Sequence, residues 1–512
     1  MKTKGGESAM ERRDFLKACT LGASVVVANA ALSGCSVKQA VTTTVAKTAG
    51  ETDAGDALFG TPAVNFSSHF DVLIIGSGIA GFSAAIDPLE ASMTVLLVDK
   101  QELLGGESYG SNGLFTVEGT DIQRKAGITT SVDDAWATRE AAVKKQVGAD
   151  GLGLQKKLFA LQTQWVNRVS AHYGAKFADP KAAVAQGAPP DILLPEGGIG
   201  DMETVLAPLR DNLADKGLST KLGMHAIAFI TDENASIIGM RMKSKKTGDY
   251  LDVRADKIVV ATGGFACNQE LIAANVPDQT EVGCLTTHSA GDGLLLCKDV
   301  GGQLAGMDRA ADLIGDVASA CVWGLFGPVV QLDPQGARFA PEDDKTAAAN
   351  RCHSNALGYW WTVFDKQLLE GTQASNLAKT LQKSAARKVG PFDNLDALAG
   401  ALHVEPATLK ATFSAYDQVV AKGKDDQGRT HHLRSLGAPY YAIKQFPKRY
   451  KTLGGAATNE NGQLLDANGA PLQNIYCCGA CAQGNLSGLA SAAAFGLCVG
   501  QAIVEATDKG KK

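Results

Sequence analysis

The stretch that decides the fold is FDVLIIGSGIAGFSAAIDPLEASMTVLLVDK, residues 70–100. Its apolar run, Val72–Ile75, predicts a buried parallel strand. The strand leads directly into a GxGxxG spacing that opens a helix, formed by Gly76, Gly78 and Gly81. In such a motif the first glycine permits a tight turn, the second lets the backbone approach a pyrophosphate, and the third packs the helix on the strand. Because a helix N-terminus attracts phosphate, we expect a dinucleotide site here.

A second apolar strand, residues 94–98, ends in Asp99, whose carboxylate can accept hydrogen bonds from ribose hydroxyls. The same carboxylate repels a 2′-phosphate, so NADP is disfavoured, while FAD and NAD both remain open. A loop rich in glycine and hydroxyl side chains follows at residues 103–113. Such a loop suits the remaining length of a flavin cofactor and is not needed by nicotinamide enzymes, so the sequence favours FAD.

From about residue 70 to the C-terminus, the chain resembles the flavoprotein subunits of fumarate reductase and succinate dehydrogenase, with the related soluble fumarate reductases, urocanate reductases and 3-ketosteroid dehydrogenases. The blocks that carry the resemblance are GSGIAG with VDK, LLGGESYGSNG, KIVVATGGFACN (257–268), SAGDG (289–293), GARF (336–339), APYYAIK (438–444), TLGG (452–455), and NIYCCGA with GLASAAAFG. The resemblance implies an α/β chain: a Rossmann-like FAD-binding domain, residues 66–306 and 440–512, with an inserted α+β capping domain, residues 307–439.

The resemblance also implies which residues hold FAD. They are Gly76, Ser77, Gly78, Ile79, Ala80, Gly81, Asp99, Lys100, Gly105, Gly106, Glu107, Ser108, Ser111, Asn112, Gly113, Ala226, Ala261, Thr262, Gly263, Gly264, Gly291, Asp292, Gly293, Gly479, Ala480, Ser487 and Leu489. Membrane-complex relatives bind flavin covalently through a histidine in the loop after the second strand. Residues 107–113 contain no histidine, so we predict non-covalent FAD. His288 either approaches the cofactor or is structural.

The chemistry implied by the resemblance is addition or removal of two hydrogens across a carbon–carbon bond next to an electron-withdrawing group. Flavin carries the hydride, and a protein acid supplies the proton. Tyr450 precedes the TLGG block and is expected to act as acid or as donor to an enolate, with Arg449 and Lys451 as cationic alternatives.

The chain departs from fumarate-reducing members, which hold a dicarboxylate with several arginines and histidines. It has no arginine after Arg449, and Tyr450 and Lys451 replace an expected histidine pair. The arginine expected after GARF falls among residues 342–346, EDDKT. Fumarate is therefore a poor fit.

Aromatic residues in or beside the cap suggest instead a substrate that is larger and more aromatic than fumarate. They are Trp323, Phe326, Tyr359, Trp360, Trp361, Tyr440, Tyr441 and Tyr450. For residues 359–361, on a predicted strand, the competing interpretation is ordinary core packing.

Three functions remain open on the sequence. The first is a reductase that saturates an activated C=C bond of an α,β-unsaturated acid or enone, fed by a membrane or extracytoplasmic electron donor in anaerobic respiration. The second is a 3-ketosteroid-type dehydrogenase working in the desaturating direction. The third is a non-catalytic flavin-binding electron carrier.

Composition excludes other classes. A chain of 512 residues, 45% hydrophobic, can bury a large core, and a net charge of −5 gives no reason to expect nucleic acid.

No histidine spacing indicates a metal site. Cys477, Cys478 and Cys481 suggest either core packing or metal ligation, with packing favoured. The cysteines show no framework spacing, so no disulfide scaffold is expected.

The N-terminus indicates where the protein works. Residues 11–17, ERRDFLK, match a twin-arginine export signal, and the apolar residues 21–32 are too short to span a bilayer. LSGC, residues 32–35, resembles a lipoprotein box, which predicts removal of the signal (1–35) and lipidation of Cys35. The alternative is a plain signal peptide with an incidental cysteine. Residues 36–65 predict a flexible tether without structure, so we expect a protein anchored on the outer face of the cytoplasmic membrane.

Overall fold

The computed structural model describes residues 44–45, 63–148, 151–185, 189–286, 288–325, 327–370, 388–484 and 488–510. The predicted export signal, lipoprotein box and Cys35 lie outside these residues. The described residues from 44 onward belong to one compact unit.

We number strands and helices separately in chain order. The strands are β1 Thr44–Val45, β2 Phe66–Ile75, β3 Val95–Val98, β4 Phe115–Thr116, β5 Ile192–Leu193, β6 Ser219–Lys221, β7 Met224–Thr231, β8 Ile237–Ser244, β9 Tyr250–Val260, β10 Leu304–Ala305, β11 Ile314–Gly315, β12 Val330–Leu332, β13 Trp360–Asp365, β14 Lys388–Phe392, β15 Tyr440–Gln445, β16 Pro447–Lys448, β17 Gly455–Ala456, β18 Gln463–Leu465 and β19 Pro471–Cys477. The α-helices are α1 Ile79–Glu90, α2 Gly106–Tyr109, α3 Asp121–Lys125, α4 Val132–Val147, α5 Leu152–His172, α6 Pro180–Ala185, α7 Glu203–Asp215, α8 Gln269–Asn275, α9 Asp292–Asp299, α10 Ala347–Ser354, α11 Lys366–Glu370, α12 Leu395–Leu402, α13 Pro406–Lys422 and α14 Leu489–Gly510.

The main sheet has the strand order β1-β7-β8-β9-β2-β3-β6, with β19 also on β9 and β18 on β19. Its centre is parallel: β2 pairs with β3 through Ile74 and Leu97, and with β9 through Ile74 and Val259. Residues 72–75 are buried, as expected for a central parallel strand covered on both faces. The predicted fold class, α/β with a Rossmann-like nucleotide-binding unit, is confirmed.

Part of the predicted tether forms a strand. Thr44–Val45 pairs antiparallel with β7, at the edge of the main sheet. The expectation that residues 36–65 have no structure is therefore wrong at this point. The physical reason is that an edge strand leaves backbone N–H and C=O groups free, and a short extended segment can pair with them whatever its composition.

Helix α14 covers α1 at unusually short range. A Cβ built on Gly496 would lie 2.1 Å from the carbonyl oxygen of Ala80, and one on Gly500 would lie 2.9 Å from that of Ala84. These glycines therefore let the two backbones approach closely. Leu489–Lys509 is long and apolar enough to cross a bilayer, but 67% of its most apolar stretch is buried inside the protein, which identifies it as a core helix.

A second, four-stranded antiparallel sheet has the order β12-β13-β15-β14. Helices α12 and α13 supply Leu398, Leu409 and Phe413 to its hydrophobic cluster. Strand β15 lies between β13 and β14, so this sheet extends to Gln445. The predicted domain boundary between residues 439 and 440 therefore cuts this sheet. The APYYAIK block contributes to strand β15 of the four-stranded sheet and does not begin the second segment of the FAD-binding domain. The remainder of the domain division stays a prediction.

Candidate active site

The turn from β2 into α1 is built by two glycines that no other residue can replace without strain. Gly76 has φ +108°, and a Cβ there would lie 2.4 Å from the carbonyl oxygen of Ala261. A Cβ on Gly81 would lie 2.0 Å from the carbonyl oxygen of Gly76. Both positions thus fit the roles expected of the first and third glycines of the motif.

Asp99, at the end of β3, fixes the same turn. Its Oδ2 accepts hydrogen bonds from the Ser77 N–H at 2.8 Å and from the Ser77 hydroxyl at 2.6 Å. The Ser77 hydroxyl in turn accepts from the Gly105 N–H at 3.0 Å. One carboxylate therefore connects the turn after β2 with the glycine loop after β3.

The N-terminus of α1 is open to an anionic group. Gly78 caps the helix without any side-chain hydrogen bond, and the first turn carries no acidic residue. A Cβ on Gly78 would contact only the Ser108 hydroxyl, at 3.6 Å, which itself accepts from the Ile79 N–H at 3.0 Å. The positive end of a helix dipole, with open space beside Gly78, fits a pyrophosphate.

A cavity of about 330 Å³ runs along this turn. Most of the residues predicted to hold FAD line it. They are Gly76, Ser77, Gly78, Ile79, Ala80, Asp99, Lys100, Gly106, Glu107, Ser108, Ser111, Asn112, Gly113, Ala226, Ala261, Thr262, Gly263, Asp292, Gly479, Ala480 and Leu489. That each of them contacts the cofactor stays a prediction.

Five predicted cofactor residues do not line the cavity, because they serve the packing behind it: Gly81, Gly105, Gly264, Gly291 and Gly293. A Cβ on Gly264 would lie 2.4 Å from Thr452 Oγ1, and one on Gly293 would lie 2.1 Å from Thr262 Oγ1. Gly105 and Gly291 adopt φ of +108° and +78° at the starts of α2 and α9. Ser487 lies outside the described residues.

The sequence also missed part of the lining: Ile75, Gln101, Gly110, Leu114, Met224, His225, Leu285, Thr286, Ser289, Leu296, Ile314, Lys345, Gly488 and Ala492. Several lie within two residues of a predicted block, and widening each block would have included them. No local signal marks Leu285, Thr286 or Ile314, because the fold brings them to the cavity from loops without a motif. His288, left open by the sequence, lines the cavity.

Lys100, which follows β3, forms a polar cluster with Asp292 and His225. The Lys100 ammonium lies 2.6 Å from Asp292 Oδ2, and His225 Nε2 lies 3.6 Å from the same oxygen. Burial opposes ionisation of Asp292, but its bonds to His225 and Lys100 prevail and lower its pKa to about 2. The Lys100 charge is therefore compensated within the protein.

Glu107 joins the glycine loop to the far side of the cavity. Its Oε1 accepts hydrogen bonds from the Thr286 hydroxyl and, at 3.1 Å, from the Ser289 N–H. The loop that carries Thr286 is also fixed by a disulfide between Cys267 and Cys284. No spacing in the sequence indicated this pair. It closes one loop and does not form a framework of several bonds.

The remaining wall of the cavity carries two lysines. We call it the lysine wall and define it as Leu285, Thr286, Ile314, Lys345, Tyr450 and Lys451. Desolvation, followed by repulsion from the Lys345 charge, lowers the pKa of Lys451 to about 7. Desolvation also lowers the pKa of Lys345. Two of the three predicted catalytic residues, Tyr450 and Lys451, thus lie on this wall.

Arg449 is the exception. It is absent from the described lining, is 4% exposed, and donates to the Gln279 carbonyl oxygen at 2.6 Å and to Gln269 Oε1 at 2.9 Å. Its side chain therefore holds together the segment around α8, and its prediction as a catalytic alternative is not supported by this placement.

Among the described residues, the aromatic side chains expected to form a substrate wall are absent from the cavity lining, apart from Tyr450. Trp360 and Trp323 are buried in separate hydrophobic clusters, and Phe364 stacks on Tyr441 with ring centroids 5.6 Å apart. Trp361 packs in the cluster of the four-stranded sheet. The inference of a large aromatic substrate is therefore not supported, and the core-packing interpretation holds for residues 360–361. Phe326 lies outside the described residues.

Cys477, Cys478 and Cys481 are fully buried. Cys477 Sγ lies 3.5 Å from Cys297 Sγ, and hydrogen bonds from these two thiols lower the pKa of Cys481. Among the described residues, no group of three or more histidine, cysteine or acidic side chains is arranged to hold a metal ion. The geometry of these thiols is that of core packing.

The family model described as FAD binding domain matches residues 71–153 and 181–497. The chain belongs to this family. Within it, the resemblance to fumarate reductase and succinate dehydrogenase flavoproteins is confirmed, and the cofactor is FAD. The probable fumarate reductase Ifc3 of Shewanella frigidimarina is 29% identical over 81% of this chain and 70% of its own length.

Two further comparisons extend this result. The acrylate reductase flavoprotein subunit of Shewanella woodyi is 24% identical over 81% of this chain and 86% of its own length. The open conformation of a flavocytochrome c3 fumarate reductase matches in structure with a TM-score of 0.69 and 25% identity, covering 86% of this chain and 79% of that one. The protein is accordingly an FAD-dependent oxidoreductase.

Proposed function

We propose that this flavoprotein is a reductase that saturates the activated C=C bond of a small α,β-unsaturated compound. The observation that carries the proposal is the lysine wall: Tyr450 and Lys451 provide proton donors on the same cavity that the dinucleotide turn opens into. Relatives named for reduction of fumarate and acrylate support the reaction class. With the aromatic residues placed in the core, a small substrate is favoured over a large flat one.

FAD, when bound, supplies the hydride chemistry. Lys451 holds a proton on Nζ with a pKa of about 7, so it can transfer this proton at neutral pH to the carbon next to the electron-withdrawing group. The Tyr450 hydroxyl lines the same wall and is suited to donate a hydrogen bond to the negative charge that develops on the substrate oxygen. The half-buried position of both residues restricts water around the reacting atoms.

The deciding experiment is anaerobic reoxidation of dye-reduced holoprotein with a panel of unsaturated acids, enones and steroids. We expect reoxidation by at least one small unsaturated compound, and loss of most of that activity in Lys451→Met with FAD content unchanged. If no compound of the panel reoxidises the reduced holoprotein, the non-catalytic electron carrier is supported instead. Reduction of an artificial acceptor by saturated ketones alone would instead support the desaturating dehydrogenase.

We also propose that the cofactor is held without a covalent bond, since residues 107–113 contain no histidine. Denaturation in acid followed by filtration should release all flavin into the filtrate. Flavin that stays with the polypeptide would contradict this proposal.

Export by the twin-arginine pathway and lipid anchoring at Cys35 complete the proposal. A disulfide in the folded body, Cys267–Cys284, supports an oxidising compartment. Cells fed a labelled fatty acid should incorporate label into the wild type but not into Cys35→Ser, and Arg12→Lys with Arg13→Lys should retain the protein in the cytoplasm. Unlabelled wild-type protein released into the medium would indicate a plain signal peptide instead.

A further inference from the structure

Lys345 is a cation on the cavity that the proposed reaction does not use. Its side chain is exposed on the lysine wall, and among the residues the structure describes it has no hydrogen bond or ion pair. Protein surrounds it closely enough that desolvation lowers its pKa. An ammonium that reaches the cavity and is bonded to no acid of the described chain can bind an anionic ligand.

The acidic neighbours of Lys345 in sequence are occupied elsewhere. Glu342 is buried and accepts from Arg338 at 2.7 Å and from Arg429 at 3.2 Å. Asp343 accepts from the Thr430 N–H at 2.7 Å. Both acids are thus engaged by other partners and form no ion pair with Lys345, whose ammonium is left for the cavity.

Asp344 is the one acid whose charge raises the pKa of Lys345. Its Oδ1 accepts from the N–H groups of Thr346 and Ala347, at 2.8 and 3.2 Å, at the start of α10. Asp344 therefore opposes part of the desolvation effect on the pKa of Lys345 without forming an ion pair with it.

Each carboxylate on the cavity is bonded to a group other than Lys345. Asp99 binds Ser77, Glu107 binds Ser289, and Asp292 binds Lys100. Lys345 therefore presents a positive charge on this wall, which suits one anionic group of the ligand.

We propose that Lys345 binds the carboxylate of an unsaturated monocarboxylic acid and thereby selects acids over neutral enones. The inference rests on the proposed function, which assigns proton transfer to Lys451. A neutral enone would leave the Lys345 charge uncompensated. A dicarboxylate would bring a second carboxylate that also needs a cation. Lys100, another lysine of the described lining, is already paired with Asp292 and does not meet this need.

The test is equilibrium binding to the oxidised, FAD-loaded protein, which cannot reduce the ligand. Crotonate and cinnamate, with crotonamide and cinnamamide as neutral counterparts and fumarate as the dicarboxylate, are titrated by calorimetry and by the change in flavin absorption. We expect an acid to bind at least about tenfold more tightly than its amide, the effect expected of a charged hydrogen-bond partner. Fumarate should bind no more tightly than crotonate.

Variants assign the effect to one residue. Lys345→Met should weaken binding of the acid by about ten- to a hundredfold and leave the amide unchanged, while Lys345→Arg should retain part of the affinity. Lys448→Met is the matched control, because Lys448 lies on β16 near this wall but is absent from the described cavity lining. FAD content and melting temperature show whether each variant is folded, and Lys345→Gln is the substitute if the methionine variant is not.

The two proposals fail separately. If the amides bind as tightly as the acids, or if Lys345→Met retains full affinity for the acid, the assignment of Lys345 is wrong, whether or not the enzyme reduces C=C bonds. If an acid binds through Lys345 but no unsaturated compound reoxidises the reduced holoprotein, the proposed reaction is wrong and the binding site stands.

Discussion

Ser77 and Asp99 are joined across the ends of two neighbouring parallel strands, with both the N–H and the hydroxyl of Ser77 donating to Asp99 Oδ2. At the other end of the same strand pair, Asp71 Oδ2 accepts from the N–H and the hydroxyl of Thr94, at 2.6 and 2.7 Å. One carboxylate thus faces the cavity, and the other lies on the exposed side of the sheet. This symmetry provides a natural control for the role of the cofactor turn.

Asp99→Asn should weaken FAD binding about tenfold, since a charged acceptor of two hydrogen bonds is lost at the turn that faces the cofactor. Asp71→Asn should lower stability slightly but leave FAD affinity unchanged. The measurement is the dissociation constant of FAD for apoprotein, from flavin fluorescence. Equal effects of the two substitutions would show that Asp99 acts only on strand pairing.

Gly81→Ala should destabilise the folded protein by several kcal/mol, because the new Cβ would lie 2.0 Å from a backbone oxygen that cannot move aside. Gly400→Ala in α12 is the matched control, since a Cβ there meets nothing within 4 Å. That control should stabilise the helix by about 0.5–1 kcal/mol. Thermal unfolding of the two holoproteins compares them directly, and a Gly81→Ala protein as stable as the wild type would refute the assigned packing role.

Arg449→Met should lower the melting temperature without changing the affinity for an unsaturated acid in the protein that remains folded. Two hydrogen bonds from a charged group are lost, at a cost of about 2–4 kcal/mol. Calorimetric unfolding and a binding titration on the same sample separate the two effects. A selective loss of acid binding at unchanged stability would return Arg449 to the active site.

The proton on Lys451 predicts a pH dependence. Its pKa is lowered to about 7, so the protonated form dominates below that pH and is lost as pH rises. With dye-reduced enzyme, kcat/KM should therefore fall as pH increases through about 7. Lys345→Met removes the neighbouring positive charge, the second cause of the shift, and should move the midpoint to higher pH, with Asp344 and Tyr450 unchanged. A midpoint that stays in place in this variant would exclude coupling between the two lysines.

The nucleotide half of the site was predictable because its determinants are local. A strand, a turn with positive φ at Gly76, a helix and Asp99 lie within thirty residues and allow few conformations. Most of the predicted cofactor residues consequently line the cavity. The sequence does not distinguish glycines that form the cavity surface from glycines that pack behind it, such as Gly264 and Gly293.

The substrate half was not predictable in the same way. Lys345 reaches the cavity because Glu342 and Asp343 are anchored to Arg429 and Thr430, which are remote in sequence and lie in none of the motif blocks. Trp360 and Trp361 were ambiguous because a buried strand and an aromatic pocket have the same composition. Tertiary pairing of β13 with β12 and β15, rather than local pattern, decides that they are core residues.

The close contact of α14 with α1 has a consequence for the order of events during synthesis. Leu489 and Ala492, near the start of α14, line the cavity whose other wall is made by residues 75–80. A ribosome must therefore release more than four hundred further residues after the glycine motif before this wall can close. We therefore expect cofactor loading to follow translation, and chains that stop short of α14 to contain no flavin.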